Sequence, residues 1–286
     1  MTPSTLSRRA FLIGTGAVAL AAACGGDDDS GSGSGSGDSG DAVQPLRVSS
    51  ELYPTESPQR FAFTLAQGTD FVAGPPATIV FRKPDGSTTS PRATELHADG
   101  LPEGRGIYIT GAVLDQEGIW EGLIDVEGSE SSLPFEVVPV ASPIPGATVP
   151  TAASPTPTNP LGVDPICTRD PECRLHDTSL TELVATGRPM VVMFATPARC
   201  QTQYCGPVLD LLLDVLDEGN HDDVPAVHVE IYRSLTGAAL VPTVEDWQLL
   251  SEPWLFGLDG NGTVVERLDG AFDRSEIRNL LDRLQS

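Results

Sequence analysis

Five cysteines and four histidines carry most of the chemistry open to this 286-residue chain, and their distribution is uneven. Cys24 stands alone near the N-terminus, whereas Cys167, Cys173, Cys200 and Cys205 crowd into one stretch of the C-terminal half. Thiols so grouped can pair as disulfides, exchange disulfides with other proteins, or hold a soft metal ion. Four thiols allow three pairings, of which the local one joins Cys167 with Cys173 and Cys200 with Cys205. Cys167 and Cys173 flank the turn at Pro171, where a bond would staple an otherwise loose segment. Cys200 and Cys205 fall between a buried apolar run and the start of a helix, a place where the helix dipole and Arg199 favour the thiolate. Their spacing is wide. Residues five apart differ by about 140° in a regular helix, and a disulfide needs Cα atoms within about 7 Å. A bond between them therefore requires Gln201 to Tyr204 to loop out, with helix beginning near Gly206.

A metal reading needs histidine as well, and His176 and His228 are the candidates to join two cysteines. Neither lies in a loop that matches Cys200 and Cys205. His228 alternates within a strand as an ordinary core or surface residue does. The sequence reading therefore assigns no metal ligand and calls for no cofactor.

The elements that position the later thiols alternate between helix and strand. Thr178 to Thr186 suits a short helix capped by Asp177 or Thr178, and Pro189 to Ala195 is a continuous apolar run of the kind buried on both faces. Val208, Leu211, Leu212, Val215 and Leu216 recur at helical spacing, with Pro207 in the first turn and Gly219 as the stop. Val224 to Tyr232 reads as a second central strand. Trp254 to Leu258 and Thr263 to Leu268 form a hairpin around Asp259-Gly260-Asn261-Gly262, and Ile277, Leu280, Leu281 and Leu284 share one face of a closing helix from Ser275. Asn261-Gly262-Thr263 also matches a glycosylation sequon, which the hairpin turn explains.

Residues 45–140 have a different texture. Short apolar stretches at 60–65, 78–82, 106–113, 119–126 and 133–138 are separated by turn residues such as Lys83-Pro84-Asp85-Gly86, the pattern of an antiparallel sandwich. The segment holds no cysteine, and its one histidine, His97, falls in a polar loop. Residues 141–163 are rich in proline, alanine, serine and threonine, which favours an extended linker.

The N-terminus reads as an address. Ser7-Arg8-Arg9-Ala10-Phe11-Leu12 precedes an apolar run too short to span a bilayer, and matches a twin-arginine export signal. The run closes on Leu20-Ala21-Ala22-Ala23-Cys24, which resembles a lipobox and implies lipidation at Cys24. Residues 25–44, acidic and then Gly/Ser-rich, form a flexible tether. These features predict an extracytoplasmic protein anchored to the cell membrane through acyl chains on Cys24, in an oxidising setting.

Residues 164–286 resemble the thioredoxin fold. The resemblance is carried by Met190-Val191-Val192-Met193-Phe194-Ala195 leading to Cys200 and Cys205, and by the run from Glu252-Pro253-Trp254 through Val265. It implies a catalytic pair at Cys200 and Cys205 facing Pro253 in the cis form, with Cys200 attacking and Cys205 resolving. Three positions depart from the family pattern: Arg199 replaces the usual tryptophan, Met193 stands where a carboxylate is often buried, and Glu252 precedes Pro253 where Thr or Ser is commoner. The departures point away from a general reductase and leave a partner-specific exchanger or a stabilising disulfide. Thioredoxin-fold assembly factors for cytochrome oxidase bind copper through Cys and His, with closer cysteine spacing. Likewise Gly106-Ile107-Tyr108 and Gly118-Ile119-Trp120 resemble the paired strands of small immunoglobulin-like domains in exported bacterial proteins.

A net charge of −23, with Lys83 the only lysine, removes the basic surface that nucleic-acid binding requires. The expected architecture is thus multidomain. A signal (1–24) and tether (25–44) lead to an all-β immunoglobulin-like sandwich (45–140), a linker (141–163) and an α/β thioredoxin-like domain (164–286). The expected partners are the membrane and either exported protein substrates or a membrane reductant, with thiol–disulfide exchange as the activity. The alternatives are a binding or scaffold lipoprotein whose disulfides are structural and, behind it, a copper-binding assembly factor.

Overall fold

The computed structural model describes residues 42–199 and 205–286; the signal, Cys24, most of the tether, Cys200 and the side chain of Cys205 lie outside the described residues. Nine strands build the N-terminal part: β1 (Val43–Arg47), β2 (Gln59–Gln67), β3 (Asp70–Val72), β4 (Ala77–Arg82), β5 (Arg92–Ala93), β6 (Glu95–His97), β7 (Ile107–Ala112), β8 (Gly118–Val126) and β9 (Ser129–Val137). They form two antiparallel sheets, β1-β2-β7-β6 with β3 on β2, and β5-β4-β8-β9. Alternation explains the pairing of faces: on β8 the side chains of Trp120, Ile124 and Val126 point inward, on the period of two that the sequence displays. Phe61 of one sheet lies 5.0 Å from Phe81 and 4.9 Å from Phe135 of the other, so one aromatic core joins both layers.

The C-terminal part runs α1 (Leu180–Ala185), β10 (Met190–Phe194), α2 (Cys205–Asp217), β11 (Ala226–Val229), α3 (Pro242–Asp246), β12 (Trp254–Leu258), β13 (Val264–Asp269) and α4 (Arg274–Gln285). Its sheet has the order β11-β10-β12-β13, with β10 parallel to β11 and antiparallel to β12, which in turn is antiparallel to β13. Separate apolar cores lie on its two faces. One gathers Phe194, Trp247, Trp254 and Phe256, and the other gathers Leu209, Leu212, Phe272, Ile277 and Leu281. α1 starts one or two residues later than its composition suggests, because Ser179, not Asp177 or Thr178, makes a reciprocal capping box with Glu182. β11 is an edge strand of this sheet rather than a central one. Residues 230–232 leave the ladder, and segment 164–175 covers the exposed edge through His228 N–H to Leu175 O (2.9 Å) and Asp164 N–H to Arg233 O (2.9 Å). The Glu252–Pro253 peptide bond is cis.

The proline-rich segment does not stand free. It lies along β13, where Val264 N–H donates to Ala147 O and Val264 O accepts Gly146 N–H, and Ser154 Oγ accepts Leu180 N–H at 2.8 Å. The described residues pack as one unit. The two parts meet across buried charge. Arg60 of β2 is bidentate to Glu276 at 2.8 and 3.2 Å and donates to Ala271 O at 2.6 Å. Arg267 of β13 lies between the Tyr53 and Trp254 rings, at 5.0 and 4.9 Å, and donates to Ser142 Oγ at 2.7 Å. His97 sits in β6 rather than in a loop, and it contacts this same chain: Nδ1 is 3.4 Å from Asp273 and 3.1 Å from Ser275, at the cap of α4.

Candidate metal centre

The covering of β11 brings together four side chains that the sequence keeps apart. Cys167, Cys173 and His176 lie on the segment before α1, and His228 lies in the middle of β11. Their donor atoms all fall within 4.8 Å of one another. The sulfurs of Cys167 and Cys173 are 3.8 Å apart and both thiols are free. His228 Nδ1 lies 3.4 Å from Cys173 Sγ, 4.0 Å from Cys167 Sγ and 3.1 Å from His176 Nε2. Cys167, His176 and His228 are buried, whereas Cys173 is half-exposed and marks the side facing solvent.

The surrounding backbone fixes the ligand geometry. His228 Nε2 is 2.9 Å from the Ala195 carbonyl, which can only accept, so the ring proton sits on Nε2 and Nδ1 presents its lone pair to the cluster. Either a proton on His176 Nε2 or a cation must lie between the two facing nitrogens. Ala195 occupies that position because β10 and β11 pair in register from Val191↔Ala226 to Phe194↔Val229. Cys173 N–H points at Cys167 Sγ (3.4 Å), and buried Glu230 accepts Thr168 N–H (2.6 Å) and Thr168 Oγ1–H (3.2 Å). Thr168 Oγ1 in turn accepts Ala198 N–H at 3.1 Å, tying the cysteine loop to the turn after β10.

Electrostatics favour one thiolate of the pair and a neutral His228. The two thiols share a proton, so the pair gives up its first proton readily and its second reluctantly. Hydrogen bonding with Cys173, together with His176 and His228, pulls Cys167 far below the ordinary thiol range; the same partner and burial push Cys173 up. Burial holds His228 below the usual imidazole value, keeping it neutral. Burial also raises the Glu230 carboxyl to about 7, against the opposing bonds from Thr168.

Zinc bonds of about 2.3 Å to sulfur and about 2.0–2.1 Å to nitrogen give tetrahedral edges of about 3.8 Å between sulfurs, about 3.5 Å from sulfur to nitrogen and about 3.3 Å between nitrogens. The sulfur–sulfur, Cys173–His228 and His228–His176 contacts run close to such edges, whereas Cys167 Sγ to His228 Nδ1, at 4.0 Å, is longer. Two thiolates and two neutral imidazoles around a divalent ion sum to zero charge, which suits a buried position. A second acidic group, His97 with Asp273 and Glu276, has comparable proximity but already holds the Arg60 guanidinium, and serves as an ion-paired joint.

The expected thiol pair is placed only in part. Cys205 opens α2 one residue before the helix start expected near Gly206, and Cys200 and residues 201–204 lie outside the described residues. Arg199, expected to favour the thiolate there, stacks its guanidinium 4.0 Å from the Tyr232 ring and donates to Gly237 O at 2.5 Å. Pro253 leads directly into β12, and Glu252 accepts Thr196 N–H at 2.7 Å. The sequence reading weighed His176 and His228 only against the later cysteines, assigned no metal ligand, and saw Cys167 and Cys173 as a staple. The structure groups those histidines with Cys167 and Cys173 instead. The available signal was the compact Cys-x5-Cys-x2-His run; His228, 52 residues further on, carried none beyond being a histidine inside an apolar strand.

No family model matches the chain, and no curated protein matches it. Among solved structures, a metagenome-derived glycoside hydrolase family 9 endoglucanase is similar over 35% of this chain at 22% identity, with a TM-score of 0.25. The chain spans 18% of that enzyme's length, and so low a TM-score supports no argument about fold or activity.

Proposed function

We propose that this protein is an exported, lipid-anchored metal-binding protein whose Cys167, Cys173, His176 and His228 hold one zinc-class ion in a closed tetrahedral site. The observation that carries this reading is the mutual proximity of two sulfurs and two imidazole nitrogens, with the His228 tautomer set by Ala195. Four protein ligands leave no open position, so the centre holds its ion rather than activating water. Bound metal joins the segment before α1 to β11. Anchoring through Cys24 at the extracytoplasmic face of the membrane, after twin-arginine export, is the reading of the N-terminal motifs; among the described residues no helix is long and apolar enough to cross a membrane. Cobalt titration of the full chain tests the centre. One equivalent should produce the intense visible bands of tetrahedral thiolate-bound cobalt, and His176→Ala should weaken binding. Octahedral spectra, or binding indifferent to these residues, refute it. Cuprous ion is the competing occupant, and a zinc-for-copper competition separates the two.

A second reading gives the α/β part a thioredoxin-like fold and thiol–disulfide exchange at Cys200 and Cys205, with exported proteins or a membrane reductant as partners. It is supported by the strand order β11-β10-β12-β13 and by Cys205 at the first position of α2 after β10. The antiparallel two-sheet N-terminal part is likewise compatible with an immunoglobulin-like sandwich acting as spacer. Selective opening of a Cys200–Cys205 bond by mild reductant supports exchange, and resistance until unfolding favours a structural bond.

A further inference from the structure

The geometry points to a metal centre that is also a redox switch: we infer that a low-molecular-weight dialkyl disulfide converts Cys167 and Cys173 into a disulfide and thereby expels the ion. This rests on the zinc-site reading above and adds its regulation. Three observations converge on it. The two sulfurs are 3.8 Å apart, so reaching a bond length of about 2.05 Å requires them to close by under about 2 Å. Of the five residues between them, Asp170, Pro171 and Glu172 are exposed and form a surface bend that can yield, whereas Thr168 is tied to Glu230, and His228 is pinned to Ala195 and, through its backbone, to Leu175. Exposure is also unequal: Cys173 is half-exposed and Cys167 is 4% exposed, so an incoming disulfide meets Cys173 first.

The exchange balances in two steps. The metal-bound Cys173 thiolate attacks one sulfur of R–S–S–R, forming a Cys173–S–S–R mixed disulfide and releasing RS⁻. The Cys167 thiolate then attacks Cys173 Sγ, forming the Cys167–Cys173 bond and releasing the second RS⁻. The protein thiolates lose two electrons, the small disulfide gains two, solvent supplies two protons to the RS⁻ groups, and the ion leaves with only His176 and His228 to hold it. An exported protein meets such oxidants routinely. The centre would then hold metal under reducing conditions and surrender it under oxidising ones.

The test uses the zinc-loaded full chain and 2-hydroxyethyl disulfide, with released zinc followed by a chromophoric chelator and cysteine linkages mapped by mass spectrometry after alkylation. The expected result is one zinc released per Cys167–Cys173 bond formed, with reloading after dithiothreitol. Cys167→Ser should stop at a mixed disulfide on Cys173. Zinc that stays bound, or release coupled to a bond involving Cys200 or Cys205, overturns the switch while leaving the zinc site intact. A chain that takes up no zinc at the outset overturns the site itself, and the switch with it. The wild-type measurement decides the matter even if Cys167→Ser folds poorly.

Discussion

Removing the metal should cost stability by an amount that depends on one residue, His228. Cys167, Cys173 and His176 lie within ten residues of one another, so an unfolded chain can still offer three ligands to an ion. His228 is 52 residues beyond His176 and reaches the site only when β11 has paired with β10 and segment 164–175 has covered it. The folded state therefore binds more tightly chiefly through His228, and the linkage is set by the ratio of the two affinities. A thousandfold preference for the folded state corresponds to about 4 kcal/mol. For a unit of this size each kcal/mol shifts the melting temperature by about 2–4 °C, so chelation should lower it by about 8–16 °C. His228→Ala should still bind zinc, more weakly, but its melting temperature should hardly respond to the metal. Calorimetry of both proteins, zinc-loaded and chelated, measures this. An equal zinc-dependent shift in wild type and His228→Ala would refute the idea that the fourth ligand couples binding to folding.

Three further outcomes follow from the joint between the two parts. Arg60→Met should cost about 3–5 kcal/mol because it leaves buried Glu276 and Asp269 without their cation; adding Glu276→Gln should recover part of that in chemical denaturation, and additive losses would contradict the pairing. The His97–Asp273 contact should depend on pH. Hydrogen bonding with Asp273 raises His97 above 6.5, so its contribution is full below that value and fades as pH rises through the folded-state pKa; burial pushes Asp273 up, but bonds from His97, Ser275 and the Glu276 and Asp99 amides outweigh it, so its share is lost only as pH falls well below 3.8. His97→Gln should therefore cost most between about pH 4 and 6, and a cost that is the same at pH 9 would contradict this. Gly270→Ala should destabilise by about 3 kcal/mol or more, since φ is +71° and a Cβ would stand 2.1 Å from Val48 O; an unchanged denaturation midpoint would show that this close approach is wrong.

Much of the backbone was legible because its signals are local. The apolar alternation of β8, the Asp259-Gly260-Asn261-Gly262 turn and the leucine face of α4 each lie within a dozen residues, and each appears where expected. The short strands β1, β3, β5 and β6 and the one-turn α3 were not read, since two to five residues carry too little periodicity to stand out from loop. β11 was taken as central because Val224 to Tyr232 is apolar but for His228 and Glu230. Its burial comes instead from a loop laid against an edge, which no periodicity records. The same non-local docking hid the candidate metal site. The three ligands before α1 sit in one short run, but their fourth partner becomes a neighbour only through strand register and the covering segment. The prolines of 141–163 gave no sign that this segment would pack along β13.

X-ray absorption at the zinc edge, on the full chain loaded with one equivalent, addresses the central claim most directly. The account predicts a first shell of two sulfurs at about 2.3 Å and two imidazole nitrogens at about 2.0–2.1 Å. A shell of oxygen and nitrogen without sulfur, or one with more than two sulfurs, would contradict it.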